Sequence, residues 1–263
     1  MSSAQRPCVI LSRRRTGAGD IYKLLGNYVP WNRLGPEPFF WSRPLGEVSK
    51  RFHANDVALS RELLLSELSR GVFFKHQYET ESWEFNSLLL QMLEACRYRV
   101  VRFEREDEAE RLFSMVISSH FSTWARDGID GLRERLRRRE PAQPVDLDHV
   151  RKLVRDEVSY KRWFDTEYGK YQIDTLSLSY EAFFRRGLRA LPLADELFAF
   201  SGLGSRVSLL DDASLLRFIF SGEHYTLGLL EYSEDLRQVH AVILDELANP
   251  TPPPRATLQL VSP

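Results

Sequence analysis

The chain has 263 residues, of which 43% are apolar and 28% charged, with a net charge of −1. That is globular composition, and it excludes collagen-like, coiled-coil and wholly disordered readings. No run approaches the roughly 20 apolar residues of a membrane helix, the start lacks a signal-peptide pattern, and Cys8 and Cys96 alone make neither a disulfide framework nor a four-cysteine zinc site. A cytoplasmic, single-core protein is the expectation.

Residues 7–12 (Pro-Cys-Val-Ile-Leu-Ser) form a short, continuous apolar run, the pattern of a strand buried on both faces of a parallel sheet. A glycine turn follows at Thr16-Gly17-Ala18-Gly19. Ile21, Leu24 and Leu25 then have helical spacing, and Gly26-Asn27 is a stop signal. The next thirty residues hold Pro30, Trp31, Pro36, Pro38, Trp41 and Pro44 and read as a long ordered loop, a feature that is usually functional. Residues 56–69 read as an amphipathic helix, 71–75 as a second strand, 83–96 as a helix and 98–103 as a third strand. Residues 107–124 are helical by the spacing of Leu112, Phe113, Val116, Ile117 and Phe121. The charge run 133–140 reads as a solvated helix end. Residues 145–168 form a long helix with Asp146 and Asp148 at its positive end, 173–180 a fourth strand, and 209–247 are mostly helical.

Strands alternating with helices predict an α/β fold with a central, mostly parallel sheet flanked by helices. One domain is expected over residues 1–249, followed by a poorly ordered tail at 250–263 that opens with Thr251-Pro-Pro-Pro.

Charge is uneven along the chain. Residues 1–55 carry nine bases against three acids, so the remainder has a net charge of −7. A basic segment on a neutral chain points to one local anion site, not to a nucleic-acid surface. Ser12-Arg13-Arg14-Arg15-Thr16-Gly17-Ala18-Gly19, between strand and helix, is the natural place for it. A helix start after a glycine turn offers unpaired N–H groups and positive dipole to an anion, and the arginines add charge. The segment is no Walker A loop, since it has no G-x-x-x-x-G-K-[ST]. It is also a poor Rossmann fingerprint: a third glycine is missing, and no strand is expected to lead to Glu37, the acid about 20 residues on.

Three further groups stand out. Arg105-x-Asp107, with Ser114 two helical turns on, follows the third strand, at the sheet edge where α/β folds bind ligands; the plainer alternative is Asp107 as a helix cap. Phe74-Lys75-His76 ends the second strand. Gly35-Pro36-Glu37-Pro38-Phe39-Phe40 lies in the Pro-rich loop.

In this order the pieces resemble the PAPS-dependent sulfotransferases, in particular the bacterial group of trehalose and nodulation-factor sulfotransferases. The likeness runs from about Val9 to Gly202, and the Ser-Tyr180-Glu181 strand end and Trp163 match its pattern. It implies a P-loop-like three-layer fold. It also implies that Arg14, Arg15, Thr16, Gly17, Ala18 and Gly19 hold the 5′-phosphosulfate of PAPS, and that Arg105 and Ser114 hold the 3′-phosphate. Glu37 would be the general base with His76 as rival, Arg15 and Lys75 would meet charge on the leaving oxygen, and no metal would be needed.

The implied partner is a small hydroxyl acceptor, such as a sugar, a glycolipid or a natural product, stacked on Trp31, Phe39, Phe40 or Trp41. No nucleic acid and no membrane span are expected, and a homodimer is left open. Two departures stand against the resemblance. Ala18 and Gly19 replace hydroxyl residues, and Asp20 puts negative charge in the first helical turn. The alternative reading is a non-catalytic binding module with a degenerate loop.

Overall fold

The computed structural model describes residues 6–123, 126–140, 143–185, 187–203 and 226–250. In chain order its elements are β1 (Cys8–Ser12), α1 (Ala18–Gly26), β2 (Asn32–Pro36), α2 (Gly46–His53), α3 (Val57–Ser69), β3 (Val72–Gln77), α4 (Trp83–Ala95), β4 (Arg99–Glu104) and α5 (Glu108–Phe121). There follow α6 (Arg126–Arg137), α7 (Leu147–Tyr168), β5 (Asp174–Ser179), α8 (Tyr180–Phe184), α9 (Leu191–Phe200) and α10 (Glu234–Ala248). They fall into two compact units: Met1–Glu106 with Phe164–Gly222, and Asp107–Trp163 with Glu223–Pro263. The sequence pattern marks no boundary at these points. Trp124 of the expected helix 107–124, residues 209–225 of the expected C-terminal helix and residues 251–263 of the expected tail lie outside the described residues.

The first unit is built on five parallel strands in the order β2-β3-β1-β4-β5. All five residues of β1 are buried, as the continuous apolar run requires of a central strand. Ile10 pairs with Lys75 and Ser12 with Gln77 on one side, and Ser12 pairs with Phe103 on the other. On one face Ile10 and Phe73 share a core with Ile21 and Leu25 of α1, Phe183 of α8 and Leu197 of α9. Next along β3, Phe74 points to the opposite face, where it meets Phe39, which in turn packs against Phe85 of α4. The result is a three-layer, P-loop-like α/β fold, with helices on both faces of a wholly parallel sheet. Each large apolar side chain withdrawn from water here contributes about 1.5–3 kcal/mol.

The stretch read as one long loop holds a strand and a helix, β2 and α2, so the sheet has five strands where the pattern showed four. Asn32-Arg33-Leu34-Gly35-Pro36 has no hydrophobic period because it is an edge strand, largely exposed, with a register shift between Arg33 and Gly35. Gly and Pro are tolerated at such an edge, where half the ladder is absent. A strand therefore does lead to Glu37, contrary to the expectation. It still makes no dinucleotide fold of the Rossmann type, because β2 lies beside β3 and not beside β1.

The second unit packs α5, α6, α10 and the part of α7 up to Trp163 around Phe113, Ile117, Leu132, Val154 and Ile243. Arg111 is fully buried there and bridges Glu108 at 3.0 Å and Glu157 at 2.8 Å. The charge run 133–140 ends α6 in solvent-exposed ion pairs such as Arg138–Glu134, which contribute little. Among the described residues no helix is long and apolar enough to cross a membrane.

Candidate functional site

The strand order places a topological switch at β1. The chain leaves its carboxyl end toward β2 and β3, while β4 lies on its other side. Open α/β sheets bind ligands outside the strand ends at such a point. Here the loops after β1 and β4 bring Arg15 and Arg105 together.

The loop after β1 is held in shape from inside. Arg13 is 2% exposed, and Thr16 Oγ1 donates to the Arg13 carbonyl at 2.9 Å. The backbone N–H of Arg14 donates to the Glu79 carboxylate, in the turn after β3, and Arg14 Nε lies 3.4 Å from the same oxygen. Arg15 has φ 62°, a left-handed conformation that costs a non-glycine residue about 1–2 kcal/mol. Gly17 follows with φ 82°, and a Cβ there would come within 2.8 Å of the Tyr180 ring. Both facts require glycine. The N-cap of α1 is Gly17, which has no side chain to cap the first turn, and the Asp20 N–H donates to the Gly17 carbonyl at 3.0 Å. Asp20 in the first turn pairs with Lys23 at 3.4 Å and is substantially exposed.

Arg105 leaves β4 beside Tyr180, because Glu104 is in register with Ser179 of β5. Its guanidinium lies 4.6 Å over the Tyr180 ring, its Nε is 3.6 Å from Glu181, and its Nη1 donates to the Arg15 carbonyl at 3.4 Å. Its side chain is 5% exposed. Burial, and then the charge of Arg105, push the Arg15 guanidinium below the usual arginine range. Two cations thus lie close together at the start of α1, with Glu181 beside Arg105.

Asp107 serves as the cap of α5, accepting from Glu110 N at 2.8 Å. Ser114 is buried on α5 and belongs to the second unit.

Glu37 also has a left-handed backbone, φ 52°. Its own N–H donates to the Lys75 carbonyl at 2.8 Å, its Oε2 accepts from Gln77 N at 2.7 Å, and its Oε1 is paired with the Lys75 ammonium. Lys75 is 4% exposed. Lys75 is the register partner of Ile10, and Gln77 that of Ser12. Arg15 and Glu37 share this positive φ with Asn55, Arg97, Ser122 and Arg139, so it does not by itself mark the site.

His76 is placed differently. Side chains alternate along a strand, so it faces away from Lys75, into the layer of α4. It is buried, its Nε2 meets Asn86 Oδ1 at 2.9 Å, and the Phe39 ring packs on it at 5.2 Å. The Asn86 amide nitrogen donates to the Tyr78 and Ser82 carbonyls, so its oxygen faces the imidazole and Nε2 carries the proton. Burial lowers the His76 pKa below 6.5. The aromatic residues divide likewise. Phe39 is core at 1% exposure and Trp31 packs on the first unit's core, whereas Phe40 and Trp41 are exposed at 42% and 65%.

Sequence reasoning missed Glu79, for which no motif or period gives a signal. It also missed the buried Glu81, which accepts from Ser49 Oγ at 2.9 Å, lies 3.1 Å from His53 Nε2, and so ties α2 to the turn after β3. Glu181 was seen only as part of a pattern.

No family model matches the chain, and no curated protein matches it. Among solved structures, one similar chain comes from a study of the PezAT chromosomal toxin–antitoxin system of Streptococcus pneumoniae. It is 13% identical, with 94% of this chain and 89% of that one covered, at a TM-score of 0.30. A likeness that low carries no argument about fold or function.

The expected resemblance to the PAPS-dependent sulfotransferases is thereby corrected. No family model and no curated protein matches the chain, sulfotransferases included. The motifs behind that expectation are short: Arg-Thr-Gly, Arg-x-Asp and Ser-Tyr-Glu. Each has an ordinary structural use in this fold, as a βα turn, a helix cap at Asp107 and a strand-to-helix junction at Ser179.

Proposed function

We propose that the chain is a group-transfer enzyme whose β1–α1 loop binds the anionic end of a nucleotide, with PAPS as donor and a hydroxyl compound such as a sugar, glycolipid or natural product as acceptor. The reading rests on these residues and on no family membership. The observation that carries it is the convergence of Arg15 and Arg105 beside the uncapped start of α1. Two neighbouring guanidiniums, one of them beside Glu181, and a helix N-terminus are groups that favour a bound anion.

A sulfuryl donor suits the loop better than a magnesium nucleoside triphosphate. The positions after Gly17 are Ala18 and Gly19, which offer neither the lysine nor the hydroxyl that a Walker A loop gives to phosphates and Mg²⁺. In the proposed step Glu37 takes the proton of the acceptor O–H. The acceptor oxygen forms a bond to sulfur while the bond from sulfur to the 5′-phosphate oxygen breaks, and that oxygen leaves with the electron pair. Its charge is met by Arg15, the loop amides and Lys75.

Thermal unfolding with adenosine 3′,5′-bisphosphate, AMP, ADP and ATP tests the donor site. At a hundredfold excess over Kd a ligand stabilises by about 2.7 kcal/mol, which for a chain of this size raises Tm by roughly 5–10 °C. The bisphosphate alone is expected to do so, and transfer of labelled sulfate from PAPS to an acceptor panel then tests the chemistry. If none of the four nucleotides shifts Tm, the proposal fails. A second reading, a binding module without catalysis, is favoured by the missing hydroxyls at Ala18 and Gly19. Nucleotide binding with no transfer to any acceptor would support it.

A further inference from the structure

Glu37 is not a free carboxylate. Three ties bind it to the carboxyl end of β3: its N–H to the Lys75 carbonyl, Oε2 to the Gln77 amide, and Oε1 to the Lys75 ammonium. The first two use backbone groups of a strand inside the sheet and do not move. The third uses a flexible side chain. An ammonium seated on Oε1 occupies the oxygen with which a base would accept a proton. Lys75 itself lies in the strand next to β1, as the register partner of Ile10, two residues before Ser12, from which the arginine loop departs. An anion held at that loop is the natural competitor for it.

We propose that Lys75 is a latch shared between two anions, held by Glu37 in the free protein and drawn to the bound donor, so that Oε1 is released to take the acceptor's proton only when a donor is present. The proposal rests on the donor reading of the site given above. Its consequence is an ordered enzyme: nucleotide binds first, and the acceptor finds a competent base only afterwards. Oε2 stays on the Gln77 amide throughout and keeps the carboxylate aimed while Oε1 works.

Zero-length carbodiimide coupling reads the latch directly. The reagent activates a carboxylate, and an amine in contact closes on it as an amide with loss of one water. In the free full-length protein a Glu37–Lys75 cross-link is expected by peptide mass spectrometry. Saturation with adenosine 3′,5′-bisphosphate, verified by thermal shift in the same samples, should cut its yield several-fold. An unchanged yield at proven saturation overturns the latch. If the cross-link forms but the bisphosphate gives no thermal shift, the donor reading itself fails and takes the exchange with it.

A binding measurement tests the same idea without cross-linking. Glu37→Gln removes the competitor for Lys75, so affinity for adenosine 3′,5′-bisphosphate should rise about three- to tenfold, the scale of a partly buried ion pair, whereas Lys75→Met should lower it. Unchanged or weaker binding by Glu37→Gln would mean that Lys75 never leaves Glu37.

Discussion

Arg105→Met separates a ligand-binding arginine from a structural one. Methionine keeps the apolar stem and removes the guanidinium that lies over the Tyr180 ring. In the free protein the loss should be small. The Nη1 contact to Arg15 is long, at 3.4 Å, and Glu181 keeps the Glu106 amide as a donor at 2.8 Å, so no carboxylate is left without a partner. Relief of like-charge crowding on Arg15 offsets part of the lost pair with Glu181. Stability should therefore change by less than about 1 kcal/mol. Binding is another matter. A charged hydrogen bond to phosphate contributes about 1.5–3 kcal/mol, so affinity for adenosine 3′,5′-bisphosphate should fall roughly ten- to hundredfold, measured by calorimetry. If Arg105 meets the 3′-phosphate, AMP binding should fall much less. Full-strength bisphosphate binding by a stably folded Arg105→Met protein would refute the assignment of this arginine to the anion. A large drop in Tm with unchanged binding would show that it serves the fold alone.

Gly17→Ala puts a Cβ 2.8 Å from the Tyr180 ring at φ 82° and should cost at least 1–2 kcal/mol and abolish nucleotide binding; Gly19→Ser, where nothing lies within 4 Å, should fold normally and bind the bisphosphate more tightly through its added hydroxyl. Denaturant melts and calorimetry decide both, and weaker binding by the serine variant would count against the loop as a phosphate cradle. Glu37→Gln, once an acceptor is found, should lower turnover by about 10²–10⁴, and near-normal turnover would remove Glu37 from the chemistry. His76 has a folded pKa lowered below 6.5 by burial, so the unfolded chain binds its proton first: stability from this residue is complete above pH 6.5 and declines as pH falls below it, by at most about 1.4 kcal/mol per unit. Subtracting the melt profile of His76→Asn from that of the wild type should expose this slope between pH 6.5 and 5, and parallel profiles would refute it.

What the sequence determined by itself is whatever rests on near neighbours. The apolar run 8–12, the glycine turn at Gly17, the helix signals around Leu24 and Leu25, and the N-cap at Asp107 are local choices, each decided within a few residues. They suffice to read an α/β fold with an anion-directed loop. β2 was illegible because an edge strand with one exposed side needs no hydrophobic period, and Gly35 and Pro36 disguise it. The division of the aromatics was illegible too, since Phe39, Phe40 and Trp41 are adjacent in sequence but only the first faces the core.

The site itself was decided by tertiary structure. Arg15 meets Arg105 only because β1 and β4 are neighbours, Glu37 meets Lys75 only because β2 and β3 are, and His76 is withdrawn from the site only because strand side chains alternate. Sheet order is set by how whole layers bury their apolar faces. It is a property of the assembled core, and no window of neighbouring residues contains it.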